Sequence, residues 1–108
     1  MPESGKPGNV EHRVIFSPEA ASDLSNLYEH IAKRSGPDRA IGYITRIETY
    51  CAGFRFFPER GTKRDDLRPG LRIVGFERRI AIAFHVDPEV VVIDRILYGG
   101  RDVKRAFR

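Results

Sequence analysis

The sequence predicts an α+β domain in the order β-α-α-β-β-β, with a helical hairpin packed on one face of an antiparallel sheet. Three observations carry that prediction. Two successive stretches place apolar residues at helical spacing between residues 18 and 57, a charged and turn-rich linker follows, and runs dense in Ile, Val and Phe occupy residues 71 to 98.

Met1 to Val10 hold prolines and glycines without apolar periodicity, so a flexible tail is expected ahead of a single domain over residues 11–108. His12 to Phe16 reads as a short strand. Ser17, Pro18 and Glu19 then start a helix with a capping hydroxyl, a ring that presets φ at the first helical position, and an early carboxylate. Its apolar stripe is Ala20, Leu24, Leu27, Tyr28 and Ile31, and Gly36 stops it. Pro37 opens a second helix with the stripe Ala40, Ile44, Ile47, Cys51 and Phe54, widened by Ile41, Tyr43, Tyr50 and Phe57. So short a link makes the two helices antiparallel neighbours.

Strands are expected at Leu71 to Phe76, Arg79 to Val86 and Glu89 to Tyr98, with Asp87 and Pro88 in a tight connection. The middle run alternates, with Ile80, Ile82, Phe84 and Val86 on one face and Ala81, Ala83 and His85 on the other. The last run is apolar on both faces. Val90, Val92 and Ile96 are expected to point one way and Val91, Ile93 and Leu97 the other, leaving a second apolar face for a partner, helped by Val103 and Phe107.

At 108 residues the chain is one domain by length, able to bury roughly two thirds of its unfolded surface. No apolar run approaches the ~20 residues that span a bilayer, and the N-terminus lacks the apolar core of a secretory signal, so a cytoplasmic protein is expected. The single cysteine, Cys51, falls on a helix stripe and reads as a small core residue rather than a nucleophile. Charge is uneven: residues 1–54 carry 6 Lys+Arg against 7 Asp+Glu, and residues 55–108 carry 13 against 8. The basic half is where an acidic partner, nucleic acid or protein, would dock.

His12, His30 and His85 have no second ligand at metal-site spacing, so no metal and no cofactor is expected, and no nucleophile elbow or phosphate loop is present. Chemistry on RNA without metal needs cations, a tyrosine and a general base, which directs attention to Arg79, His85, Arg95 and Tyr98. Arg95 sits within an apolar strand and therefore needs a carboxylate, with Asp94, Asp102 or the linker acids as candidates, or a partner. The segment Tyr98 to Arg108, with Arg101 and Arg105, suits an acidic protein surface or a phosphate backbone.

The linker Pro58-Glu59-Arg60-Gly61-Thr62-Lys63-Arg64-Asp65-Asp66-Leu67-Arg68-Pro69-Gly70-Leu71-Arg72 resembles that of the ParE branch of the RelE/ParE toxin superfamily. The likeness extends over residues 11 to 105. It takes in Ser17 to Ala20, Asp23-Leu24, Tyr28 to Ala32, Gly36 to Ala40, and the ending Ile93 to Asp102, where Tyr98 stands at a position often held by histidine.

The resemblance implies the toxin of a type II toxin-antitoxin pair, inhibiting DNA gyrase without being an enzyme and neutralised by a ParD-like antitoxin. Operator DNA would be reached only through that antitoxin. Arg79, His85, Arg95, Tyr98, Arg101 and Arg105 are then candidates for the target surface, and Leu27, Tyr28, Ile31, Val91, Ile93 and Leu97 for the antitoxin surface. Two alternatives stay open: a RelE-like ribosome-dependent mRNA interferase, metal-independent, and a non-toxic ParE-fold binding protein. Against the first, the tail carries Phe107 and no His-Tyr pair.

Overall fold

The computed structural model describes residues 11–99 and 103–107; the expected tail, residues 1–10, and Arg101 lie outside the described residues. Along the chain run β1 (Arg13–Phe16), α1 (Pro18–Ser35), α2 (Pro37–Ala52), a 3-10 turn (Gly53–Arg55), β2 (Thr62–Lys63), β3 (Arg72–Phe76), β4 (Ile80–Val86), β5 (Val90–Tyr98) and α3 (Val103–Ala106). The sheet order is β1-β5-β4-β3-β2.

The helical hairpin follows from its caps. Ser17 Oγ accepts the Ala20 amide at 3.0 Å, and Pro18 occupies the first turn of α1. Gly36, at φ +95°, ends α1 by donating its amide to Ala32 and at once precedes Pro37, so one glycine serves both helices. The buried residues Ala20, Leu24 and Leu27 of α1 and Ile47 and Cys51 of α2 pack on Ile80, Ile82 and Phe84 of β4.

The sheet departs from the purely antiparallel expectation in one pair. β1 lies parallel to β5, Val14 opposite Val91 and Phe16 opposite Ile93. A parallel pair needs a long crossover, and here nearly the whole domain intervenes between the two strands. β5 is therefore interior to the sheet, which accounts for its unbroken apolar run without a partner.

A second correction concerns its faces. Ala83 pairs with Arg95 but Phe84 pairs with Ile93, so Asp94 is an extra residue, a β-bulge. The bulge resets the alternation: Val91, Ile93 and Ile96 join one buried cluster with the helices, and the expected opposition between Ile96 and the other two does not occur. Leu97 and Ala83 are buried outside that cluster, covered by the chain itself. Val90 and Val92 on that second face are half-buried, so among the described residues β5 offers no wide, fully exposed apolar face.

The linker folds as a strap against the sheet. Arg64 clasps Asp66 through two bonds of 3.0 Å, the Asp65 carboxylate accepts the Gly70 amide, and the Arg64 amide donates to Leu71, whose side chain is fully buried. At Gly61, φ +73°, an added Cβ would lie 2.3 Å from the Ile73 carbonyl oxygen, so only glycine fits. The Arg68 guanidinium stacks over Phe107, joining the C-terminal turn to this strap.

Candidate functional site

Three surfaces carry functional chemistry, and α1 and α2 frame two of them. The first is an apolar groove of about 520 Å³ lined by Phe16, Leu24, Tyr28, Ile41 and Ile44, with Glu29 and Glu48 also in its wall. Ile41 is 57% exposed although it continues the apolar pattern of α2. An isoleucine left in water beside other apolar side chains marks a contact surface rather than a core position.

The second surface lies at the hairpin turn, a groove of about 470 Å³ bearing Arg34, Arg39, Arg46, Tyr43, Tyr98 and His30. Tyr98 anchors it, its ring centroid 5.6 Å from His30 and 6.4 Å from Tyr43. Arg46 stacks over Tyr43 at 5.1 Å and binds Glu77 bidentately at 2.8 and 3.0 Å. That pair holds the guanidinium's pKa above, and the Glu77 carboxyl's below, their ordinary values. Glu77 and Arg78 both sit at positive φ in the β3–β4 turn, a conformation non-glycine residues adopt at a cost, and the Arg46 pair lies against that turn. Arg79 closes the turn, accepting the Gly99 amide at 2.9 Å. Burial, with Glu77 nearby, raises the Tyr43 phenol's pKa, so it stays a neutral donor.

The third surface surrounds the β5 bulge. β1 ends opposite Ile93, leaving the β5 edge open beyond it, and α1 closes that edge. The Ser17 amide donates to the Ile93 carbonyl and its hydroxyl to the Asp94 carbonyl, while Asp23 accepts the Ile96 amide at 2.9 Å. The same carboxylate takes Arg95 in a fork of 2.8 and 3.0 Å. The partner expected for Arg95 among Asp94, Asp102 and the linker acids is thus Asp23 of α1, which only the fold brings near. His85 Nδ1 meets the Asp94 carboxylate at 2.7 Å on the face away from the helices, and Asp87 lies 3.7 Å from Nε2.

Residues 14–103 match the family model of the ParE toxin of the type II toxin-antitoxin system parDE. The chain belongs to the ParE toxin family. Toxin ParE3 of Caulobacter vibrioides is 33% identical over 87 residues, 81% of this chain and 86% of that protein. A chain of the chromosomal ParDE system of P. aeruginosa matches with TM-score 0.72 at 24% identity, over 82% of this chain and 97% of its own. A chain of the toxin-antitoxin complex RelBE2 of Mycobacterium tuberculosis gives TM-score 0.60 at 20% identity, over 85% and 95%. These two likenesses concern the fold.

Within this ParE fold the sequence-predicted residues separate. Tyr98 lines the hairpin groove, whereas Arg79, next to the register partner Ile80, sits in the β3–β4 turn outside that lining. His85 is opposite Val92 at the far end of β4, on the other face, so Tyr98 and His85 do not share a centre. Arg95 is held by Asp23, and Arg105 is exposed on α3. Of the six apolar candidates, Leu27, Val91, Ile93 and Leu97 are buried, whereas Tyr28 lines the apolar groove and Ile31 the cationic one.

Ile41, Ile44 and Phe16 were absent from that set. Their signal was present in the over-wide apolar arc of α2. The Cys51 thiol, fully buried, has its pKa pushed up to about 12 by burial and by Glu48, so it is inert as a nucleophile. Among the described residues no group of three His, Cys, Asp or Glu could hold a metal ion, and no helix is long and apolar enough to cross a membrane.

Proposed function

We propose that this chain is a toxin that inhibits DNA gyrase and is silenced by a ParD-like antitoxin seated in the apolar groove between α1 and α2. The observation that carries the reading is that groove on a member of the ParE family: Tyr28, Ile41 and Ile44 remain open to solvent or half so, and line one continuous apolar trough. An amphipathic segment laid along it would bury apolar side chains, and cations flanking that segment would meet Glu29 and Glu48. A segment disordered when free would fold as it docks.

Gyrase as target rests on the family likeness. The separation of His85 from Tyr98 supports it indirectly, because a ribonuclease centre would need a base and a tyrosine on one substrate. The test is a supercoiling and cleavage assay with purified protein, gyrase and plasmid. Linear DNA released by protease treatment, and lost on adding the antitoxin encoded beside this chain, is the expected result. Intact supercoiling together with messenger cleavage on ribosomes would replace the proposal with the interferase reading.

A further inference from the structure

The cationic groove at the hairpin turn has features that folding alone does not require. Arg34 in the last turn of α1 and Arg39 in the first turn of α2 are exposed, and neither pairs with a carboxylate among the described residues. Asp38 is the one carboxylate in the lining, against three arginines. His30, Tyr43 and Tyr98 supply aromatic rings beside those charges.

Gly42 lines the same groove from the interior of α2. A Cβ there would meet only Arg46 Nη1, at 4.0 Å, so no neighbour demands a glycine, while helix propensity disfavours one. What the glycine preserves is open space between the rings and the guanidiniums.

From this arrangement we infer that the groove binds a phosphate-bearing aromatic ligand, a nucleotide or a nucleotide unit of single-stranded nucleic acid. Arg34 and Arg39 hold the phosphate, and the base lies over Gly42 against Tyr43 and Tyr98. The volume of about 470 Å³ is ample for one nucleotide. Guanidiniums paired with aromatic faces suit a ligand that is both anionic and planar. An acidic peptide would use the charges but not the ring surfaces that Tyr43 and Tyr98, packed on the core by one side, still turn to the groove. This site is distinct from the apolar groove, and its occupancy does not depend on gyrase being the target.

Fluorescence anisotropy of the full chain with labelled ten-nucleotide dT and rU oligomers tests the inference, with a nucleoside monophosphate and an oligo-glutamate peptide as competitors. The Arg34→Gln/Arg39→Gln double variant should weaken oligomer binding at least about tenfold and flatten the dependence of log affinity on log salt by about 0.7, one phosphate's worth for a single strand. Gly42→Leu should also weaken binding while raising the unfolding midpoint, which separates a filled groove from a damaged fold. Arg105→Gln should leave affinity within about twofold.

Displacement by the monophosphate at its own comparable affinity would assign a free nucleotide as ligand; oligomer binding without it would assign nucleic acid. No oligomer or nucleotide binding, equal binding by the double variant, or stronger binding of oligo-glutamate would each overturn the proposal.

Discussion

One helical hairpin presents two grooves of opposite character. On one side Leu24 and Tyr28 of α1 and Ile41 and Ile44 of α2 make an apolar trough with acidic residues in its wall. At the turn, Arg34, Arg39 and Arg46 surround tyrosine rings. The difference arises from rotation about α2: positions 41, 44 and 48 fall on the first surface and 39, 42, 43 and 46 on the second, while Ile47 and Cys51 between them enter the core. A helix with one buried stripe thus has two flanks left to specialise. Each flank should be breakable alone, whereas damage to the frame should impair both.

The largest effect is expected from Ile41→Asp. Placing a charge in the apolar groove should lower antitoxin affinity about 100-fold by isothermal titration, with the unfolding free energy within about 0.5 kcal/mol because the side chain is mostly exposed. An unchanged affinity would remove the groove from the antitoxin interface.

Asp23→Ala attacks the frame instead. It strands Arg95 and the Ile96 amide, both partly buried, and should cost about 2–4 kcal/mol in urea unfolding, more than Arg95→Ala, which leaves the Ile96 bond intact. The reverse order would mean that Arg95, not the β5 edge, is what Asp23 serves.

Alkali should loosen the shared core with no preference for either groove. The buried Cys51 thiol ionises near 12 against an ordinary 9.0, so the unfolded chain loses its proton first. Stability conferred by that burial is whole below pH 9 and falls by roughly 1.4 kcal/mol per pH unit up to about pH 12, a slope that Cys51→Ala should lack. The smallest effect belongs to Glu77→Gln. Its ion pair with Arg46 is exposed, so the unfolding midpoint should hardly move, and a large drop would show that the strained β3–β4 turn depends on that clasp.

Much of the frame was legible in the sequence because caps and periodicity are local. Ser17, Pro18, Gly36 and Pro37 mark the hairpin, and the alternation of β4 identifies its core face. The bulge at Asp94 was not legible, since one added residue leaves no trace in an apolar run yet reverses which side chains face inward. The bulge parts Leu97 from Val91 and Ile93, expected to share one docking face; paired with Val86 and Phe84, Val91 and Ile93 lie in the core.

Asp23 escaped for another reason: 72 residues separate it from Arg95, and only the parallel placement of β1 beside β5 brings α1 to that edge. The linker is the opposite case. Its turn residues and charges satisfy one another locally, through Asp65 with Gly70 and Arg64 with Asp66, so its turns are legible, but β2 within it, paired with β3, leaves no alternation in the sequence to mark it.

The most direct test of the account is the gyrase cleavage assay run in parallel with native protein and Ile41→Asp, each with and without the neighbouring antitoxin. Both proteins should release linear DNA, and the antitoxin should suppress it for native protein while leaving it for Ile41→Asp. Absence of linear DNA with native protein would contradict the assignment of gyrase as target, and equal suppression of both would contradict the apolar groove as the silencing surface.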